Sequence, residues 1–184
     1  MEFKKLSEIA HIEISGVDKK IKEGEKIVRL CNFTDVYYNW DLGISDSGKF
    51  MIASANPQEI AKFSLRQNDV VITKDSETRG DIGISCFIAE NLDNTILGYH
   101  CALIRPNEGI DGSYLNACLK TSTSRKYFSN QAGGSGQRYT LTVDGIESVK
   151  VPVIPIEKQR KIGKLFSDIS HKIRINNQIN DNLV

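Results

Sequence analysis

From Ile156 to Val184 no proline interrupts the chain, and Gly163 is the only glycine. Across this stretch Ile162, Phe166, Ile169, Ile173, Asn176, Asn180 and Leu183 recur at alternating spacings of four and three, the pattern of a coiled-coil seam. Pro155 can stand at the start of such a helix, since its missing N–H would be unpaired there anyway. Fully helical, the segment would extend roughly 43 Å at about 1.5 Å per residue, more than one small domain can cover. Asparagine at two seam positions lowers stability but can fix register and partner number. The spacing therefore predicts a long helix at 156–184 that pairs with another helix. The alternative is a terminal helix folded back on its own domain, and the length argues against it.

What precedes the helix differs in kind. Residues 1–155 mix strand-like and helix-like stretches without regular alternation, which predicts a β-rich α+β domain. Leu6 to Ile14 suits a short helix followed by a strand, "SGVDKKIKEGEK" an ordinary polar turn around Lys19, and "KIVRLCNF" a half-buried strand. "ANPQEIAKF" opens a helix with Asn56 as cap, Pro57 at the first position and Glu59 closing a capping box. Val70-Val71-Ile72-Thr73 is strongly β-forming after a turn at Asn68, and "DIGISCFIAEN" and "TILGYHCALIRP" predict two more strands. "DGSYLNACLKTSTSRKYFSNQ" predicts a helix capped by Ser113, with Tyr114, Leu115, Cys118 and Leu119 on its buried side. "RYTLTV" and "SVKVPVI" are strand-like.

Charge and cysteine usage exclude several functions. The chain carries 24 Lys and Arg against 23 Asp and Glu. From Ile156 onward there are six basic and three acidic residues, which leaves 18 against 20 in the first 155. So nearly neutral a domain is no indiscriminate polyanion binder, and any nucleic-acid contact depends on local placement. Cys31, Cys86, Cys101 and Cys118 are scattered without a C-x-x-C pair, which argues for buried free thiols and against zinc. No stretch has the length of a membrane span and the N-terminus lacks an apolar leader, so a soluble cytoplasmic chain is expected. A thiol enzyme is disfavoured: His100 adjoins Cys101 but strand neighbours point to opposite faces, and His11 and His171 lie at opposite ends.

Four stretches carry a family resemblance: "KIVRLCNFTDVYYN", "NDVVITKDSETRGDIGIS", "LGYHCALIRPN" and "GSGQRYTLTVDGIESVKVPVIPIEKQRKI". In this order and spacing they resemble a target recognition domain of a type I restriction–modification specificity subunit, over nearly the whole chain. The resemblance implies a domain that reads half of a split double-stranded DNA target, followed by a helix that sets the distance to a second recognition domain. Two such helices would pack as an antiparallel coiled coil that also docks methyltransferase subunits. Methyl transfer with its S-adenosylmethionine would belong to those subunits, and translocation and cleavage to a restriction subunit. This chain would then be non-catalytic, without cofactor or metal of its own. Asn68-Asp69 stands where Gly-Asp is common in the family, and Lys158-Gln159 where Glu-Gln is common. Complete subunits hold two recognition domains and two helices, so one of each implies a half-subunit, a truncated product or a fragment. A half-subunit is expected to form a homodimer through its helix.

Three places invite DNA. In "TKDSETRGDIG", Lys74 or Arg79 could reach guanine edges or phosphates, while Ser76 and Thr78 supply short hydrogen bonds. The alternative is a solvated loop whose charges pair internally, because Asp75, Glu77 and Asp81 would repel phosphate. In "AGGSGQRY", Gln137 suits adenine and Arg138 suits guanine, against the alternative of a flexible connection. In "VYYNW", Tyr37 and Trp40 are expected to anchor the core or a loop, while Tyr38 is free to meet DNA. A protein-interaction adaptor acting through the helix alone is the rival function, and it would show no salt-dependent affinity for duplex.

Overall fold

The β-branched run Val70–Thr73 is buried along its whole length, third of five strands in the computed structural model, which describes residues 2–134 and 136–181. Across this central sheet the order is Ala10–Ile14, Cys101–Pro106, Val70–Thr73, Ser85–Ile88 and Asp41–Leu42, antiparallel except for the last pair. Burial on both faces explains an unbroken apolar run in place of alternation. Successive side chains serve two different cores. Val70, Ile72, Ala102 and Ile104 join Leu115, Phe128 and Ile146, contributed by the helices Gly112–Leu119, Ser122–Gln131 and Val143–Glu147. Val71, Leu103, Cys86 and Ile88 join Val28, Ala53 and Ile96 from a second sheet, ordered Met51–Ala55, Lys26–Cys31 and Thr95–Leu97. All four cysteines are free and buried, and burial pushes the thiols up, well above the ordinary value for Cys31, Cys86 and Cys101. The mixed α+β architecture expected from the sequence is the one observed.

Two polar residues tie the sheet's edge to its surroundings. Asp69, 2% exposed, accepts from Arg105 Nε at 2.8 Å and Arg105 Nη2 at 2.9 Å, a two-pronged pair within the scaffold. Asn68 adopts φ +77°, and its side-chain oxygen accepts from the Gly112 N–H at 2.7 Å. The Asn-Asp pair, standing where Gly-Asp is common in the family, is therefore a structural joint. Asn56 likewise caps its helix as expected, with both arms of the capping box formed.

Some elements differ from expectation. "TILGYHCALIRP" is two strands in two sheets, broken where His100 takes φ +70°. The long predicted helix after Ile110 is two, Gly112–Leu119 and Ser122–Gln131. Asp111 and Thr121 are the caps, and the Ser113 hydroxyl donates to Asp111 instead. Short polar side chains offered several possible caps, and the one that reached a free N–H was decided by where the preceding loop entered. Only Tyr139–Thr140 of "RYTLTV" is strand, because Thr142 caps the short helix Val143–Glu147.

The C-terminal helix runs from Ile156 to Asp181 in 26 residues, roughly 39 Å at about 1.5 Å per residue. One side of it lies against its own domain. Gln159, 1% exposed, donates to the carbonyls of Ile154 at 2.8 Å and Gly109 at 3.2 Å and accepts from Asp111 N–H at 3.0 Å. One turn on, a Cβ on Gly163 would collide with Ser113 Oγ and lie 2.9 Å from the Tyr114 nitrogen, so glycine lets the two helices touch. Phe166 stacks on Trp40 with ring centroids 5.1 Å apart, and Ser170 and Arg174 reach the buried carboxylate of Asp41 at 3.0 and 3.1 Å. The helix thus does pack on its own domain, but with one side only. Length argued against any such packing; Gly163 permits it by removing the side chain that would hold the helices apart.

Candidate nucleic-acid interface

Strand Gly133–Gly134 pairs with Tyr139–Thr140, and Tyr139–Thr140 pairs in turn with Asp75–Ser76. This small ribbon fuses two loops that lie some sixty positions apart in sequence. Gly134 has φ +151°, and a Cβ there would collide with the Arg138 carbonyl, so glycine at this position lets the two strands approach. A cleft of about 760 Å³ opens beside the ribbon. Its lining draws on Lys19, on Asn32 to Thr34 with Tyr37-Tyr38, on Asp75 to Thr78 with Asp81, on Tyr99-His100 and on Gln137-Arg138.

Five of the seven residues expected to meet DNA line this one cleft: Tyr38, Ser76, Thr78, Gln137 and Arg138. Tyr38 is 77% exposed, with its ring edge-on to Tyr37. Lys74 and Arg79 stand outside the lining. Lys74 Nζ is held 2.9 Å from Asp75 Oδ2 in a largely buried position, and the Arg79 guanidinium lies over the Tyr139 ring at 5.1 Å. Tyr37 is the anchor it was expected to be, donating its hydroxyl to Asp81, and that bond pushes the phenol's pKa up. Trp40 is likewise an anchor, under Phe166.

The acidic residues that argued against phosphate contact are mostly engaged. Burial alone would push the Asp75 carboxyl up. Hydrogen bonds from Thr140 Oγ1 at 2.6 Å, His100 Nδ1 at 2.6 Å and Lys74 Nζ at 2.9 Å outweigh it and hold Asp75 below the ordinary carboxylate value. Asp81 accepts from Tyr37, and Arg125 fastens the same loop by donating to the carbonyls of Gly80 and Ile82. Glu77 remains exposed, and Lys19 and Arg138 are the Lys and Arg side chains of the same lining. The cleft therefore offers cations, amide and hydroxyl groups and an aromatic face, the mixed set that base edges and phosphates require.

Sequence reasoning missed Lys19, Asn32, Thr34, Tyr99 and His100 as members of this cleft. Lys19, expected to be an ordinary turn residue, sits with its ammonium 5.7 Å from the Tyr99 ring. His100 was weighed only against Cys101. Cys101 is wholly buried while His100 bonds to Asp75, so the pair is indeed separated, by a left-handed backbone step at His100 and not by strand alternation. No cluster of three His, Cys, Asp or Glu side chains that could hold a metal ion occurs among the described residues.

On the helix, the predicted seam lies beside the domain-facing side. Ile162, Phe166, Ile169 and Ile173 are 37, 39, 45 and 55% exposed, and Asn176 and Asn180 are exposed as well. Leu183 lies outside the described residues. Tyr38, Trp40, Phe166, Ile169 and Ile173 together line a shallow groove of about 300 Å³ where helix and domain meet. No helix among the described residues is long and apolar enough to cross a membrane.

A β-rich domain with a mixed polar and aromatic cleft, carrying a long helix with an exposed apolar stripe, defines a class of DNA-specificity domain. Residues 1–183 match the family described as type I restriction modification DNA specificity domain, and the chain belongs to that family. It is 29% identical over 125 residues to the type I restriction enzyme HindI specificity subunit of Haemophilus influenzae, covering 67% of this chain and 27% of that protein. It is 25% identical over 180 residues to the putative type I restriction enzyme MjaX specificity subunit of Methanocaldococcus jannaschii, covering 97% and 41%. Among solved structures, the HsdS subunit of Thermoanaerobacter tengcongensis superposes with a TM-score of 0.62 at 16% identity, over 97% of this chain and 39% of that one. The type I restriction-modification S subunit of M. genitalium superposes with a TM-score of 0.55 at 10% identity, over 98% and 44%. The chain thus spans less than half the length of each of these proteins.

Proposed function

We propose that the chain reads one half of a two-part double-stranded DNA target on behalf of a type I methyltransferase and restriction complex. Residues 1–155 are the recognition domain and 156–184 the spacer and partner helix. The observation that carries this reading is the convergence of Tyr38, Ser76, Thr78, Gln137 and Arg138 on one cleft, with most of the nearby acids engaged internally. Lys19 flanks the cleft as a phosphate contact, and Gln137 and Arg138 supply base contacts from the hairpin. Lys74 and Arg79, also expected to meet DNA, bear on the same ribbon, where they brace Asp75 and Tyr139.

The chain itself makes and breaks no bonds in DNA. Chemistry belongs to methyltransferase and restriction subunits in the cytoplasm. The stripe of Ile162, Phe166, Ile169, Ile173, Asn176, Asn180 and Leu183 pairs with a second copy of the helix, antiparallel, so that two domains read inverted half-sites. Duplex binding measured across a salt series tests the reading. Affinity should fall steeply with salt, and a chain with no salt-dependent affinity for any duplex is not a DNA reader.

A further inference from the structure

Arg138 is exposed on a hairpin tip, where a long side chain has many rotamers and would choose a base poorly. Yet it does not wave free. One guanidinium nitrogen, Nη2, lies 3.1 Å from His100 Nε2 and 3.3 Å from Nδ1. His100 Nδ1 in turn lies 2.6 Å from Asp75 Oδ2. Asp75 is held by Thr140 Oγ1 at 2.6 Å and by Lys74 Nζ at 2.9 Å, and it is backed by the ribbon register Thr140↔Asp75. The donors fix the tautomer. Asp75 as a carboxylate only accepts, so Nδ1 carries the hydrogen, and Arg138 Nη2, almost equidistant from the two ring nitrogens, rests against the face of that imidazole.

Three features show that this alignment is built and not incidental. His100 takes φ +70°, a conformation a non-glycine residue rarely holds, and it does so between Leu97 and Cys101, where the chain passes from one sheet to the other. The Tyr99 ring lies 3.8 Å from the His100 ring, limiting its swing from one side. Asp75 itself is nearly buried, 8% exposed at the side chain, and so forms a fixed base for the chain of bonds.

We infer that His100 is a positioning residue for base choice: held by Asp75, its ring gives the Arg138 guanidinium a fixed surface to rest on, so that the base selected at one target position depends on a residue that need not touch DNA. This rests on the DNA-reading function proposed above. A guanidinium resting one nitrogen on the His100 ring keeps its in-plane N–H donors free for the two acceptors of a guanine edge.

The test uses the full chain and a pool of duplexes with randomised sequence, selected by binding and sequenced. Wild type should select a consensus. Arg138→Ala should flatten it at one base position, with about a tenfold or greater loss of discrimination there. His100→Asn keeps a residue that tolerates the left-handed backbone and can still donate to Asp75, but it is too short to meet Arg138. It should flatten the same position, and the double variant should lose no more than Arg138→Ala alone. His100→Gln, whose amide reaches as far as Nε2, should restore part of the discrimination. Nitrogen NMR of the unbound chain provides a readout free of folding effects at position 100. It should report Nδ1 protonated and Nε2 unprotonated, with the Nε2 signal moved by Arg138→Ala. A consensus unchanged by His100→Asn, losses that multiply in the double variant, or an Nε2-protonated ring would overturn the positioning role while leaving DNA reading intact. A wild-type chain that selects nothing overturns both.

Discussion

The cleft draws its lining from five separated stretches of chain, while the C-terminal helix is one uninterrupted stretch. Each presents polar and apolar groups to something outside the domain, but they are assembled by different means. In the helix, hydrogen bonds between residues four apart fix every side chain's direction, so the stripe from Ile162 to Ile173 follows from spacing alone. In the cleft, no side chain is near another until the ribbon of Gly133–Gly134, Tyr139–Thr140 and Asp75–Ser76 has formed. A surface built locally tolerates change elsewhere in the molecule. One built from distant segments can be lost through residues that never touch a ligand.

The sharpest way to break the helical half of this contrast is Ile169→Asp. Burying an isoleucine fully contributes about 1.5–3 kcal/mol, and pairing can cover only the exposed 45% of Ile169, so the loss counted on both helices is roughly 1.5–3 kcal/mol of association. Sedimentation should show the variant monomeric at concentrations where wild type associates. Its own unfolding in urea should change little, because Ile169 is 45% exposed in the single chain. A wild-type chain that is monomeric, and stays so in the variant, would leave the stripe without a partner in a second copy.

Gly163→Ala probes where the helix meets the domain. Alanine gains about 1 kcal/mol of helix propensity over glycine, which in an exposed helix would stabilise. Here the added methyl meets Ser113 Oγ, Asp111 Oδ1 and the Tyr114 nitrogen, so overpacking should win and cost about 1–3 kcal/mol net. A rise in urea midpoint would mean the helix stands off the domain in solution.

The cleft half is sharpened by comparing Arg138→Ala with Lys19→Ala. Loss of a base contact should cost about 1–3 kcal/mol on the preferred duplex and little on others. Lys19→Ala should weaken all duplexes alike and lower the salt slope by about 1. If both variants lose affinity uniformly, the hairpin contacts phosphate and not bases.

The smallest effect is in acid. The Asp75 pKa in the folded chain lies below its ordinary value of 3.8, so its stabilisation is complete above that value and is lost as pH falls through the lowered one. Lys74 and His100 are the charged or titratable partners that bond it. Unfolding measured from about pH 5 to about pH 2 should show a loss under about 1 kcal/mol that Asp75→Asn removes. An identical acid limb in the variant would mean the ribbon does not depend on that carboxylate.

Much of the scaffold was legible in the residues. The capping box of Asn56 and Glu59, the left-handed turn at Asn68, the buried run Val70–Thr73 and the buried side of Gly112–Leu119 are set by interactions within a few positions of each other. So was the apolar stripe of the last helix. Gln137, Arg138, Ser76, Thr78 and Tyr38 could be named as candidates, because their chemistry suits DNA wherever they stand. Only the tertiary structure decided that these five share one cleft and that Lys74 and Arg79 are engaged by Asp75 and Tyr139 beside it. It also decided that Lys19 faces in, that His100 links Asp75 to Arg138, and that Gly163 allows the helix to lie on its domain. Each of those depends on contacts between segments tens of residues apart, whose geometry comes from sheet register and core packing, and no local spacing in the chain records it.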